Sequence, residues 1–134
     1  MMVNAVVADT HALIFHAEGG KQLGPRAARL FASAEQRESI VYIPAAVMWE
    51  FSILARLRRI HLQHSVAEFF HALFSNPAYQ SHDLTPEQIY LAAERQPNND
   101  PFDALICAAA QHLSLPLVTR DAEITDSGFV RVIW

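Results

Sequence analysis

Short apolar runs alternate along this chain with longer segments whose apolar positions recur at helical spacing. The Val-rich run over residues 3–8 predicts a strand buried on both faces. Runs of similar character lie at 39–43, 115–119 and 129–133, and 79–84 is a weaker candidate. Because these strands alternate with helices, the pattern predicts an α/β fold with a mainly parallel sheet.

The predicted helices are marked by their first residues as much as by their periodicity. Proline begins three of them, at Pro25, Pro86 and Pro101, the first helical position, where its missing N–H leaves no hydrogen bond unmade. Ser65 is the predicted N-cap of another. The helix capped by Ser65 spans 65–74, and the helix that begins at Pro101 continues to about residue 113. The remaining predicted helices span 10–17 and 45–58.

The composition fits one domain over 1–134, because 134 residues with 51% hydrophobic content can bury a core and no repeat, linker or low-complexity segment interrupts them. The formal net charge of −4 argues against non-specific binding of duplex nucleic acid, which needs a basic face. An enzyme that cleaves RNA stays compatible with this charge, since a metal site would neutralise several carboxylates.

Targeting and redox features are few. The one cysteine, Cys107, excludes an internal disulfide and a zinc finger, and its apolar helical context predicts a buried thiol. No run is long enough to cross a membrane. The apolar start of the chain lacks basic residues and is interrupted at Asp9, so we expect no signal peptide and a cytoplasmic location.

Four acidic residues lie at or beside the ends of apolar segments, far apart along the chain: Asp9, Glu50, Asp103 and Asp121. Asp9 and Asp121 follow predicted strands, which is where open α/β sheets bind ligands. Glu50 lies within the helix predicted over 45–58, and Asp103 lies in the first turn of the last predicted helix. Asp100 shares a helix face with Asp103 and is a fifth candidate.

Carboxylates that converge at one sheet edge repel one another unless a divalent cation neutralises them. Oxygen ligands of this kind suit Mg²⁺ or Mn²⁺. These metals serve phosphoryl chemistry, so a metal-dependent nuclease is the leading hypothesis.

Each acid also has an ordinary structural interpretation. Asp9 and Asp100 suit helix N-caps, and Asp103 suits the positive end of a helix dipole. Asp121 suits a turn, and Glu50 a solvated helix face. Only the joint pattern of the acids favours a site.

Several neighbours could support that site. Thr10 and Thr119 place hydroxyls beside Asp9 and Asp121, and His11 lies near the first acid. Arg120 could contact substrate phosphates, together with the basic residues Lys21, Arg26, Arg56, Arg58 and Arg59, which are otherwise solvated. The remaining histidines are interpreted as solvated helix residues.

The residues around these acids resemble the PIN-domain proteins and, within them, the VapC-type toxins of prokaryotic toxin–antitoxin pairs. The resemblance rests on four motifs in order: DTHALI at 9–14, MWEFSI at 48–53, DPFDALI at 100–106 and LVTRD at 117–121. Order and spacing agree over nearly the whole chain, including the closing segment 130–134. One departure is Ile124, where many members carry an aromatic residue, and this bears on packing.

The resemblance implies a three-layer α/β/α sandwich and Mg²⁺- or Mn²⁺-dependent cleavage of RNA. It also implies a small antitoxin that covers the helical face, and often a homodimer. The family's acidic site maps onto Asp9, Glu50, Asp103 and Asp121, with Asp100 as a further acid of a subgroup. Asp9 and Asp103 would be direct ligands, and Glu50 would hold or deprotonate the attacking water.

Two other functions remain open at this point. A phosphohydrolase of the haloacid-dehalogenase type also places acids beyond parallel strands, but it needs a second Asp two residues after the first, where this chain has His11. A catalytically silent module that only binds a partner is the other. The RNA target, the antitoxin and the number of metal ions are not decided by the sequence.

Overall fold

The computed structural model describes residues 5–134. Its strands are β1 (Ala5–Ala8), β2 (Ile40–Pro44), β3 (Tyr79–His82), β4 (Leu117–Val118) and β5 (Val132–Ile133). They form one sheet in the order β3-β2-β1-β4-β5, and every neighbouring pair is parallel. Residues 3 and 4, the start of the first predicted strand, lie outside the described residues.

Helices cover both faces of this sheet and complete a three-layer α/β/α sandwich, so the predicted fold class is confirmed. The helices are α1 (Thr10–Ala17), α2 (Pro25–Glu35), α3 (Ala45–Arg56), α4 (Val66–Phe74), α5 (Pro86–Glu94), α6 (Pro101–Leu113) and α7 (Ala122–Ser127). In the part of the chain that the structure describes, no helix is both long and apolar enough to cross a membrane.

Strand β1 is the centre of the sheet because its residues tolerate burial on both faces. Val6, Val7 and Ala8 have no exposed surface. Val6 lies beside Val41 of β2, and Ala8 lies beside Val118 of β4. The carboxyl ends of β1 and β4 are therefore neighbours, which brings the residues that follow them to one edge.

Three details differ from the predictions. Helix α7 was not predicted, and Asp121 is its N-cap and not a turn residue. Helix α3 ends at Arg56, short of the predicted residue 58, because Arg58 adopts a left-handed φ of 58°. His16 was interpreted as solvated, yet it is largely buried and stacks on Phe31 with ring centroids 4.4 Å apart.

The prediction for Cys107 is confirmed. The residue is 1% exposed on α6, and burial raises the pKa of its thiol to about 12. A thiol that holds its proton so strongly is a poor nucleophile.

Candidate active site

A pocket of about 320 Å³ lies at the carboxyl edge of the sheet and gathers the predicted acids. Its lining residues are Asp9, His11, Glu50, Asp100, Asp103, Arg120 and Asp121. Two larger hollows, of about 450 and 610 Å³, lie around the loop that follows α3. They hold no comparable cluster of carboxylates, so the titratable chemistry is concentrated in the smaller pocket.

Asp9 joins β1 to α1 at the floor of this pocket. It is 7% exposed, and its Oδ1 accepts a hydrogen bond from the Ala12 N–H at 2.8 Å, so it caps α1 as well as facing the pocket. Burial raises the pKa of Asp9 from 3.8 to about 6. Hydrogen bonds from Thr119 and Ala12 oppose that rise without cancelling it. A carboxylate held in this state gains from a nearby cation.

Glu50 faces the pocket from the middle of α3. Its Oε1 accepts a hydrogen bond from the Thr10 hydroxyl, and the residue is about half-buried. The solvated face of α3 is elsewhere, at Trp49, which is 57% exposed. Burial raises the pKa of Glu50, and the carboxylates of Asp100 and Asp9 raise it further. Glu50 therefore faces the acidic pocket and not the side of α3 on which Trp49 lies.

Asp100 and Asp103 enter the pocket from the first turn of α6. Asp100 is the N-cap, and its Oδ1 accepts a hydrogen bond from the Phe102 N–H at 2.8 Å. Burial raises the pKa of Asp103 from 3.8 to about 6, and the charge of Asp100 contributes next among the groups that raise it. Asp121 and Glu50 also raise this pKa, which shows that the four side chains share one electrostatic environment.

Asn98 holds this pair of acids and was missed by the sequence reasoning. Its Nδ2 donates to Asp103 Oδ2 at 2.8 Å, while its Oδ1 accepts from the Asp100 N–H at 2.8 Å. The available signal was an asparagine two residues before an N-cap, since asparagine side chains commonly bond to the backbone two residues on.

Asp121 and Thr119 complete the pocket on the β4 side. Asp121 caps α7, with its Oδ1 accepting from the Ile124 N–H at 2.9 Å. The Thr119 hydroxyl oxygen accepts from the Asp121 N–H at 3.1 Å, and the same side chain lies close enough to Asp9 to lower the pKa of its carboxyl. Thr119 has no exposed surface and thus joins the two acids from below.

The donor set fits a hard divalent cation. Glu50 Oε1, Asp103 Oδ2 and Asp121 Oδ1 each accept a hydrogen bond. The second oxygen of each of these carboxylates is therefore a candidate metal ligand. Oxygen ligands are those that Mg²⁺ and Mn²⁺ prefer. Within residues 5–134, no three His, Cys, Asp or Glu residues already converge as a metal cluster.

Two basic side chains lie on the rim. His11 is exposed, and its charge lowers the pKa of Asp9 and of Glu50. Arg120 is exposed, and its guanidinium carbon lies 4.7 Å from the centroid of the Phe15 ring. Phe15 was not among the predicted site residues, because nothing local to an apolar helix distinguishes it from core.

Comparison with known proteins gives one family match. A family model described as "PIN domain" matches residues 6–130. No curated protein sequence matches this chain.

Solved structures match over nearly the full chain. VapBC2 from Rickettsia felis, bound to a DNA fragment from its promoter, has a TM-score of 0.71 at 12% identity and covers 96% of this chain and 97% of its own. Mycobacterium tuberculosis VapC20, described as a sarcin-ricin loop cleaving toxin, has a TM-score of 0.70 at 21% identity, covering 95% and 98%. DNA-bound VapBC from Salmonella typhimurium has a TM-score of 0.68 at 15% identity, covering 98% of both chains. At these identities the likeness establishes the fold.

Proposed function

We propose that this chain, which belongs to the PIN-domain family, is a Mg²⁺- or Mn²⁺-dependent endoribonuclease and the toxin of a toxin–antitoxin pair. The observation that supports this most is the acidic pocket, where carboxylates from separate segments raise one another's pKa. A folded protein keeps such a repulsive cluster when a cation compensates it.

The proposed role of each pocket carboxylate follows from its surroundings. When bound, Mg²⁺ or Mn²⁺ polarises the phosphodiester and lowers the pKa of water. Asp9 and Asp103, both with pKa values near 6, would hold the cation. Glu50, whose pKa is raised by burial, would orient the attacking water and accept its proton. Asp121 would complete the site, and Asp100 would serve as an additional ligand.

The haloacid-dehalogenase alternative receives no support from the site. Its acid–base residue would stand at position 11, where this chain has an exposed histidine on the pocket rim. An in-line attack by water on a phosphodiester requires no nucleophilic aspartate, and it uses the carboxylates that are present.

An antitoxin and a second copy of the chain are the proposed protein partners. The structural relatives from Rickettsia felis and Salmonella typhimurium are described as VapBC. Large exposed apolar residues fall on two helices here, Trp49 on α3 and Ile89 and Tyr90 on α5. Clustered apolar exposure marks interaction surfaces. We also propose a cytoplasmic location, where the proposed enzyme would meet an RNA substrate.

RNA cleavage by purified protein tests the proposal. Asp9→Asn and Asp103→Asn should each lower cleavage of a structured RNA in Mn²⁺ by roughly 100-fold or more, because even outer-shell partners of a metal contribute 10–100-fold. Asp83→Asn, a substitution of an exposed aspartate after β3, is the matched control and should cleave normally. EDTA should abolish cleavage by the wild type.

The products separate the competing functions. RNA fragments that depend on added metal support the nuclease. Free phosphate released from a small phosphomonoester would instead indicate the phosphohydrolase. Full cleavage by both site variants would remove the assigned roles of Asp9 and Asp103, and no reaction from a folded protein that still binds its partner would indicate a silent binding module.

A further inference from the structure

Arg120 lies at the acidic pocket without being paired to its carboxylates. Over residues 5–134 the ion pairs within 4.0 Å are His16–Glu35 and His64–Glu68, so none involves Arg120. Its guanidinium lies over the Phe15 ring at 4.7 Å. A guanidinium stacked on a ring uses its flat face and leaves its N–H groups available at the edge.

The ring beneath Arg120 is itself held in place. Phe15 is 7% exposed on α1, and the Trp134 ring meets it edge-on with centroids 6.2 Å apart. We call Phe15 and Trp134 the aromatic shelf. The Trp134 carbonyl accepts hydrogen bonds from the Arg26 and Ala27 N–H groups at 2.9 and 3.0 Å, at the start of α2.

Gly24 makes room for the shelf. As the N-cap of α2 it contributes no side-chain cap, so the Trp134 carbonyl takes over that role. A Cβ at position 24 would lie 2.5 Å from the Trp134 ring. The shelf is thus locked between α1 and the start of α2, and the position of Arg120 follows from packing.

The position of Arg120 over the Phe15 ring bears on how an anionic substrate can bind beside the acidic pocket. A phosphodiester is an anion, and the pocket carboxylates repel it. An arginine bound by those carboxylates would be largely neutralised, whereas one held by an aromatic face keeps its charge and its donors for an incoming phosphate.

We propose that Arg120 binds a backbone phosphate of RNA at this site and that Phe15 is the positioning residue that holds Arg120 for it. This inference rests on the proposed function and assigns the group that receives the substrate.

The test is the salt dependence of RNA binding. A mixed-sequence single-stranded oligoribonucleotide is titrated with the Asp103→Asn protein, which should bind without cleaving, at several salt concentrations with Mg²⁺ present. Each phosphate contact contributes about 0.7 to the slope of log affinity against log salt for single strands. Arg120→Gln should reduce the slope by about 0.7 and lower the affinity.

Arg131→Gln is the matched control. Arg131 is exposed and precedes β5, where its carbonyl accepts from the Leu117 N–H, so it lies at the opposite edge of the sheet from Arg120. The same charge is lost in both variants. An equal change of slope in Arg131→Gln, or an unchanged slope in Arg120→Gln, would overturn the assignment of Arg120.

Phe15 is tested by coupling. Phe15→Leu alone should weaken binding several-fold, and it should add nothing once Arg120 is already Gln, because the ring acts through that side chain. Additive losses would overturn the positioning role. If a thermal melt shows that Phe15→Leu does not fold, Arg120→Lys is the alternative variant, because position 120 is exposed. An unchanged salt slope with lower affinity for RNA would support the stacking of Arg120 on Phe15. Unchanged affinity would contradict it.

Failure of the proposed function is separable from failure of this inference. If the Asp103→Asn parent still cleaves the oligoribonucleotide, the metal-ligand assignment is wrong. The slopes, measured on a substrate analogue with non-cleavable linkages, still decide whether Arg120 contacts phosphate.

Discussion

The Thr10 hydroxyl donates a hydrogen bond to the carboxylate of Glu50, 40 positions further along the chain. Thr10 begins α1 directly after Asp9 and is 1% exposed. The bond ties the middle of α3 to the start of α1 and directs Glu50 into the acidic pocket, while the adjacent Trp49 points to solvent. The contact between two helices therefore decides which way this acid faces.

Removing the Glu50 charge should stabilise the metal-free protein. Glu50→Gln keeps the shape and can still accept the Thr10 hydrogen bond, but it removes a charge that burial disfavours and that the carboxylates of Asp100 and Asp9 repel. Because Glu50 is only half-buried and solvent screens its charge, we expect a gain of at most about 1 kcal/mol in the free energy of unfolding. Thermal melts in EDTA measure it.

Added metal should stabilise Glu50→Gln less than it stabilises the wild type. Mg²⁺ or Mn²⁺ should raise the melting temperature of the wild type more than that of Glu50→Gln, because a ligand stabilises in proportion to its binding to the folded state. A variant that melts lower in EDTA and responds to metal as the wild type does would make Glu50 an ordinary structural residue.

The metal-free protein should lose stability as the pH rises from about 4 to about 6. Burial raises the folded-state pKa of Asp9 from 3.8 to about 6, so the folded state binds this proton more tightly than the unfolded state does. The stabilisation is full below pH 3.8 and is lost as pH rises through 6. For Asp9 the rise corresponds to roughly 3 kcal/mol, and Asp103 acts in the same direction.

Comparison with Asp9→Asn isolates this effect. Asparagine retains the cap on α1 and carries no charge, so the variant should be more stable than the wild type in EDTA at pH 7 and should converge with it near pH 4. His16 acts oppositely, since its pKa is lowered by burial, but it is common to both proteins. Parallel curves from denaturant titrations across this range would contradict the prediction.

Two substitutions of Asp121 should distinguish its role as the N-cap of α7 from its role in the site. Asp121→Ala removes the bond to the Ile124 N–H and should cost about 0.5–2 kcal/mol of stability. Asp121→Asn preserves the cap and should change stability little, yet both variants should lose RNA cleavage. Chemical denaturation and a cleavage assay, run together, distinguish the roles. Wild-type cleavage by Asp121→Asn would leave the residue as a cap alone.

An antitoxin should cover the exposed face of α3. Trp49 and Leu57 are 57% and 55% exposed, and Ile53 lies between them at helical spacing. Tryptophan is enriched among the few interface residues whose truncation costs about 2 kcal/mol or more, so Trp49→Gln should weaken the complex by about 30-fold. Titration calorimetry with a candidate antitoxin, the product of a short reading frame beside this gene, measures this.

Tyr90→Gln is the control for that experiment. Tyr90 is 64% exposed on α5 and is not part of α3, the helix proposed to bind the antitoxin, so its replacement should leave affinity for the antitoxin unchanged. Equal binding by Trp49→Gln and wild type would place the partner elsewhere. A neighbouring short reading frame that encodes a DNA-binding N-terminal segment would independently support the toxin assignment.

Helix starts and buried strands were predictable because their signals are local. Prolines mark the first residues of α2, α5 and α6, and the uninterrupted apolar run of β1 indicates a strand covered on both faces. Helix α7 escaped this reasoning since its six residues bury only Ile124, which is too little for a periodic pattern. The usable signal was Asp121 as an N-cap followed by Gly128 beyond the last turn. The single domain over 1–134 stays a prediction.

By itself the sequence determined which residues carry the site's charge and on which element each lies, because caps, periodicity and residue type act over a few positions. Only the tertiary structure decided how they meet. The order β3-β2-β1-β4-β5 makes the ends of β1 and β4 neighbours, so Asp9 and Asp121 share Thr119. The position of Arg120 over the Phe15 ring likewise depends on packing between distant segments, which no local pattern encodes.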